Sequence, residues 1–294
     1  MSDVLTLEHP PGSAHVVRDY LELSKSRIVM MVLITAAAGY FFAAPHVDWL
    51  LLVNMLLGTG LVAAGTNALN QYVERDHDAK MRRTRLRPLP DGRITPRAAL
   101  AFSISISIIG TVYLGLAVNW LTAALGALTL ITYIFIYTPL KRVSTICTLI
   151  GAIPGAIPPL MGWTAATGAL GTGGWIVFAI LFFWQLPHFM AISWMYRDDY
   201  ARGGFAMLAV QDDDGRATAR QAVLYSFALL TVSVLPPFFG LATFVYLFGA
   251  VVAGVAMTVA SFAFLADRTP RSARRLFMSS NIYLIAAMLL LVFA

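Results

Sequence analysis

The sequence predicts an all-α, polytopic membrane protein, and three observations carry that prediction. Apolar runs of roughly 20 residues recur along the 294-residue chain, each long enough to cross a hydrocarbon core of about 30 Å as a helix. Charged residues make up 12% of the chain, against roughly 25% in an ordinary soluble domain, and the mean hydropathy is +0.73. All 21 Lys and Arg residues lie either before the first run or in every second connection between runs. A soluble enzyme, a disordered tail and a secreted disulfide scaffold are excluded. Cys147, the single cysteine, sits in an apolar run and cannot form an intrachain disulfide. The net charge of +6 follows from orientation in a membrane rather than from nucleic-acid binding.

Residues 1–23 read as a polar N-terminal segment, not a signal peptide, because they hold acidic residues and two prolines and no short apolar core. Asp19, Glu22, Lys25 and Arg27 form an amphipathic approach to the membrane. About nine transmembrane helices follow within a single domain, 24–294, at approximately 28–46, 50–72, 98–118, 121–139, 144–165, 175–196, 217–238, 241–265 and 276–294. Continuous apolar runs exclude a β-barrel, whose strands alternate. With nine spans, every Lys and Arg falls on the N-terminal side, and only Asp48 among the carboxylates falls on the other. The positive-inside rule makes the N-terminal side cytoplasmic and puts the C-terminus outside. The two long polar connections, 73–97 and 197–216, lie on that cytoplasmic side and are where chemistry is expected.

At the end of the second span Asn67, Asn70, Glu74 and Asp78 follow one another at steps of three, four and four, so they share one helical face, with Asp76 pointing away. Lys80, Arg82, Arg83, Arg85 and Arg87 follow at once. Carboxylates and an amide oxygen beside cations suit Mg²⁺ held together with the oxygens of a phosphorylated ligand, the cations taking the remaining phosphate charge. A solvated helix end with local ion pairs would show the same spacing. Asn67 and Asn70 weigh against it, because amides that deep are costly unless they face a polar cavity.

The stretch NQYVERDHD resembles the aspartate-rich NxxxDxxxD motif of the UbiA superfamily of intramembrane prenyltransferases, with Glu74 at the middle acidic position. The second DxxxD of many such enzymes is missing, since Gly203 stands four residues after Asp199. Instead, RDDYARGG, WQLPHF (Trp184–Phe189) and the segment Tyr137–Gly168 resemble the protoheme IX farnesyltransferase (heme O synthase) branch. The resemblance runs from about Ser24 to the C-terminus and implies a UbiA-like bundle with a cytoplasmic-side pocket. It also implies transfer of farnesyl from farnesyl diphosphate to a vinyl group of heme b, with addition of water, giving heme O. The catalytic and metal set would be Asn70, Glu74, Asp78 and Asp199. Lys80, Arg83, Arg87, Lys141 and Arg202 would bind diphosphate, and His188, Arg142 and Asn67 would approach the heme. Mg²⁺ would be the cofactor. The implied partners are the bilayer and heme A synthase or terminal-oxidase assembly factors, and the implied location is a prokaryotic cytoplasmic membrane.

Several residues carry two readings. Pro154, Pro158 and Pro159 with Gly151, Gly155 and Gly162 argue against a regular helix, and they suit either a pocket wall or close packing of small residues. His188 sits mid-span, eleven residues from Asp199 and hence on the same face, but about 16 Å deeper. That is too deep for a diphosphate metal. His77 is expected to face solvent, and Phe182, Phe183, Trp184, Phe189 and Trp194 to pack in the bundle or wall an isoprenoid tail. The competing functions are prenylation of an aromatic quinone precursor, small-solute transport and a structural assembly subunit. Transport fits poorly with acids on one side only and no evident inverted repeat.

Overall fold

A computed structural model describes residues 13–293. The elements are α1 (Ser13–Leu23), α2 (Ser26–Ala43), α3 (Trp49–Asp78), α4 (Pro96–Ala117) and α5 (Trp120–Ile131). A π-helical turn (Thr132–Tyr137) leads into α6 (Thr138–Leu140), and α7 (Cys147–Thr167), α8 (Thr172–Met195) and α9 (Arg197–Arg202) follow. The chain ends with α10 (Leu208–Gln211), α11 (Arg216–Ser233), α12 (Leu235–Phe238), α13 (Phe244–Asp267) and α14 (Pro270–Phe293). Among the described residues nine helical segments are long and apolar enough to cross a membrane, and their limits lie within a few residues of the expected spans, except that α3 runs on to Asp78 and α14 begins six residues early, at Pro270.

Local signals set the ends. Asp48, Thr95, Asn119 and Thr243 each accept a backbone N–H of the first turn of α3, α4, α5 and α13, satisfying donors that helix geometry leaves orphaned. Gly168, at φ 71°, ends α7 in the left-handed region that glycine enters without strain. Successive helices pack as neighbours, and α2 and α14 come together to bring the two ends of the row into contact. The helices α7 and α8 are the most enclosed, and the largest apolar cluster joins α8 to α11, α13 and α14.

The proline-rich segment departs from expectation, for α7 is helical throughout despite Pro154, Pro158 and Pro159. Close packing of small residues accounts for it. A Cβ on Gly162 would lie 1.9 Å from the Ala36 carbonyl oxygen, and one on Gly39 would lie 2.0 Å from that of Pro159, so α2 and α7 touch backbone to backbone. Gln185 also reaches across from α8 to donate to the Ala152 carbonyl at 3.2 Å.

Candidate functional site

The polar end of α3 forms the floor of a cavity of about 210 Å³, enclosed by the α1–α2 junction, the π turn, the segment after α6, α8 and α9. That volume is below the roughly 300–1,000 Å³ of drug-sized pockets and suits a charged head group rather than a whole prenyl or porphyrin substrate. Asn70, Glu74 and Asp78 all face it, buried, as their helical spacing requires. Each is bound to a cation from another segment. Lys25 Nζ donates to Asn70 Oδ1 at 2.8 Å, Lys141 Nζ to Glu74 Oε1 at 2.8 Å, and Arg87 Nη1 to Asp78 Oδ2 at 2.6 Å. With Arg83, four cations therefore line the cavity against two carboxylates.

The backbone arranges these cations. Lys25 stands between α1 and α2 with φ 52°, a left-handed conformation uncommon outside glycine, and Gln71 secures the junction by donating to the Glu22 and Leu23 carbonyls. Burial, followed by the charge of Arg87, pulls the Lys25 pKa down to about 7. An anion in the cavity would reverse that, so the enclosure favours one. Burial would also lower Lys141, but the Glu74 carboxylate outweighs it and holds the ammonium charged. The π turn turns Tyr133 and Tyr137 into the cavity, and Thr138 Oγ1 donates to the Tyr133 carbonyl while accepting from Asn70 Nδ2 at 3.2 Å. Lys141 Nζ lies 4.5 Å from the centre of the Tyr137 ring.

The donor set fits Mg²⁺. Asp78 Oδ1 is buried with no hydrogen-bond partner, and such an atom costs free energy unless something answers it. Among the described residues no cluster of three or more His, Cys, Asp or Glu side chains could hold an ion. Mg²⁺ needs none, since it is usually bound by one or two carboxylates with water and phosphate oxygens.

Other expected residues stand apart from this cavity. Asp199 lies outside its lining, and Tyr196 interrupts the helix between α8 and α9, which ends the face expected to be shared with His188. Asp199 accepts the backbone N–H groups of Arg82 at 3.1 Å and Arg83 at 3.3 Å, together with the Arg202 guanidinium. Burial opposes its ionisation, but Arg202 and the two amides outweigh burial and hold its pKa below the usual carboxylate value. It thus ties α9 to the loop that carries Arg83, and Arg202 is engaged with it rather than with the cavity. Lys80 is exposed, and Arg142 is exposed on the far side of α3, donating to the Val73 carbonyl at 3.3 Å. Asn67 is buried a turn deeper than the lining residues. His188 pairs its Nδ1 with Ser280 Oγ at 2.8 Å and packs between Trp184 and Phe277, at the α8–α14 contact. His77 is not free in solvent, for its Nδ1 lies 2.7 Å from the Gly203 carbonyl oxygen. Of the aromatic residues on α8, Phe189 lines the cavity, whereas Phe182, Phe183, Trp184 and Trp194 pack in the core. Sequence reasoning did not assign Lys25, Tyr133, Tyr137 or Thr138 to the site. The charge of Lys25 beside the first span was the one available signal.

Bundle and cavity together define a polytopic membrane protein with a buried, oxygen-lined, cation-rich cavity at one end of its helices. A family model described as the UbiA prenyltransferase family matches residues 32–285, and the chain belongs to that family. It is 47% identical to a protoheme IX farnesyltransferase of Solibacter usitatus, over 91% of this chain and 95% of that protein. Among solved structures it resembles digeranylgeranylglyceryl phosphate synthase, with TM-score 0.80 and 18% identity, over 95% of this chain and 98% of that one. It also resembles a UbiA homologue of Archaeoglobus fulgidus bound to GPP and Mg²⁺, with TM-score 0.68 and 14% identity, over 94% of this chain and all of that one.

Proposed function

We propose that this chain transfers the farnesyl group of farnesyl diphosphate to a vinyl group of heme b, with addition of water, giving heme O and diphosphate. The observation that carries this is the cavity in which Lys25, Arg83, Arg87 and Lys141 surround the Asn70–Glu74–Asp78 face. Kinship with protoheme IX farnesyltransferases supports heme b as acceptor over an aromatic quinone precursor. Transport would require a polar path through the bundle, and the polar cavity lies at one end of it.

Asn70, Glu74 and Asp78 would hold Mg²⁺, which would neutralise charge developing on the departing diphosphate. Lys25, Lys141, Arg83 and Arg87 bind the diphosphate and stabilise that same charge as the allylic C–O bond breaks. Tyr133, Tyr137 and Phe189 bound the reacting end and keep water from the allylic cation. The vinyl group attacks that cation, positive charge passes to the carbon beside the porphyrin, and a water molecule adds there as a hydroxyl, its remaining proton passing to solvent. Asp199 acts by positioning Arg83. Handover to heme A synthase or terminal-oxidase assembly factors belongs to the same proposal.

Purified protein given heme b, farnesyl diphosphate and Mg²⁺ in ¹⁸O-labelled water should yield a heme heavier by one farnesyl and one labelled hydroxyl. A farnesylated heme without label would contradict the water step. Formation of a prenylated aromatic acid, with no heme product, would transfer the assignment to quinone synthesis.

We also propose that the N-terminus and the cavity lie on the cytoplasmic side of a prokaryotic cytoplasmic membrane and the C-terminus outside, on the one-sided distribution of Lys and Arg. Reporter fusions after Asp91 and Gly215 should read as cytoplasmic and one at Asp48 as external. A cytoplasmic signal from a C-terminal fusion would break the proposed orientation.

A further inference from the structure

An apolar cavity of about 560 Å³ lies on the face of α3 opposite Asn70 and Glu74, bounded by α3, α4 and α5 with its π turn. It is a cleft open at the side of the bundle, and along α4 it extends from Leu100 to Val112. Twelve residues of helix are roughly 18 Å, a little more than half of a hydrocarbon core of about 30 Å. Its length is that of one lipid leaflet. It begins at Tyr72 and Val73, and two guanidiniums stand there on consecutive carbonyls. Arg75 Nη1 donates to the Tyr72 carbonyl at 2.8 Å, and Arg142 Nη2 donates to that of Val73 at 3.3 Å. Arg75 also lies over the Tyr72 ring, 4.7 Å from its centre, and its one carboxylate neighbour, Asp76, is 3.8 Å away and largely exposed. Arg142 has no carboxylate partner among the described residues.

We propose that this cleft is a binding site for an anionic phospholipid, with one acyl chain along α4 and the phosphate between Arg75 and Arg142. Charge complementarity selects this occupant. An uncharged chain would leave Arg142 without an anionic partner and Arg75 with only the largely exposed Asp76. The site is separate from the catalytic cavity and does not depend on the function proposed above.

Native mass spectrometry of the protein offered equimolar phosphatidylglycerol and phosphatidylcholine of identical chains tests it. Phosphatidylglycerol should be retained preferentially, and Arg75→Gln with Arg142→Gln should reduce that preference roughly tenfold or more, as expected for two interfacial cations. The same change at Arg274, exposed and remote from the cleft, should leave it unaltered. A second measurement does not rely on the double variant folding. In Ile131→Trp, at a half-exposed position of the cleft, brominated phosphatidylglycerol should quench the introduced indole more than brominated phosphatidylcholine. Equal retention and equal quenching by the two lipids would overturn the proposal. So would a cleft shielded from both by dimerisation, or one that retains farnesyl diphosphate in place of phospholipid.

Discussion

Asp78→Asn should lower turnover by roughly 10²–10³-fold or more while the protein still inserts and accumulates, because it removes charge that answers the departing diphosphate. The substitution keeps shape and leaves an oxygen to accept from Arg87, so the fold loses little. It changes Oδ1, a fully buried carboxylate oxygen of the cavity that no protein donor satisfies. Glu74→Asp should by contrast remain active within about tenfold, since the charge persists and only one methylene of reach is lost. Turnover is read as heme O formed per molecule of inserted protein. Undiminished activity in Asp78→Ala would remove this face from the mechanism.

Lys141→Gln should cause the second large loss, in stability as well as in activity. Its ammonium and the Glu74 carboxylate are both buried, with side-chain exposures of 11% and 5%. Removing one member of such a pair costs about 3–5 kcal/mol, because the other charge stays behind unpaired. Thermal inactivation in detergent should begin well below that of the parent. Glu74→Gln added to Lys141→Gln removes the stranded charge, so the double variant should regain most of the stability yet remain inactive. The pair would then show an interaction energy of 1 kcal/mol or more on the scale typical of contacting residues, about 0.5–3 kcal/mol. A double variant as fragile as Lys141→Gln alone would mean that the two groups are not energetically coupled, and an active one would mean that neither serves the diphosphate.

Much of the fold was legible before any tertiary contact was known. Each span is a local property of some 20 consecutive residues, and the cost of burying charge in hydrocarbon confines Lys and Arg to the connections. The stripe Asn70–Glu74–Asp78 was legible for a similar reason, since all three residues ride one helix whose period is fixed. Less was legible where a local rule met a non-local one. Three prolines in α7 argued for a broken helix, but Gly162 of α7 and Gly39 of α2 let the two backbones meet and the helix stays whole. His188 and Asp199 were placed on a common face by counting residues along one helix, and the break at Tyr196 separates them.

The sequence by itself determined the class of solvent, the number and order of spans, the side on which charge collects and the acidic face of α3. Tertiary structure alone decided which cations meet that face. Eight basic residues follow Asn70 between Arg75 and Arg97, yet only Arg83 and Arg87 of them line the cavity. The other two come from far along the chain, Lys25 from 45 residues before Asn70 and Lys141 from 67 residues after Glu74. Tertiary structure also set Asp199 to hold the backbone of Arg82 and Arg83, and turned His188 toward Ser280. The physical reason is range. Hydropathy and helical period act between residues a few positions apart and can be read in order, whereas a buried charge takes whichever partner the packing of distant helices brings within about 3 Å.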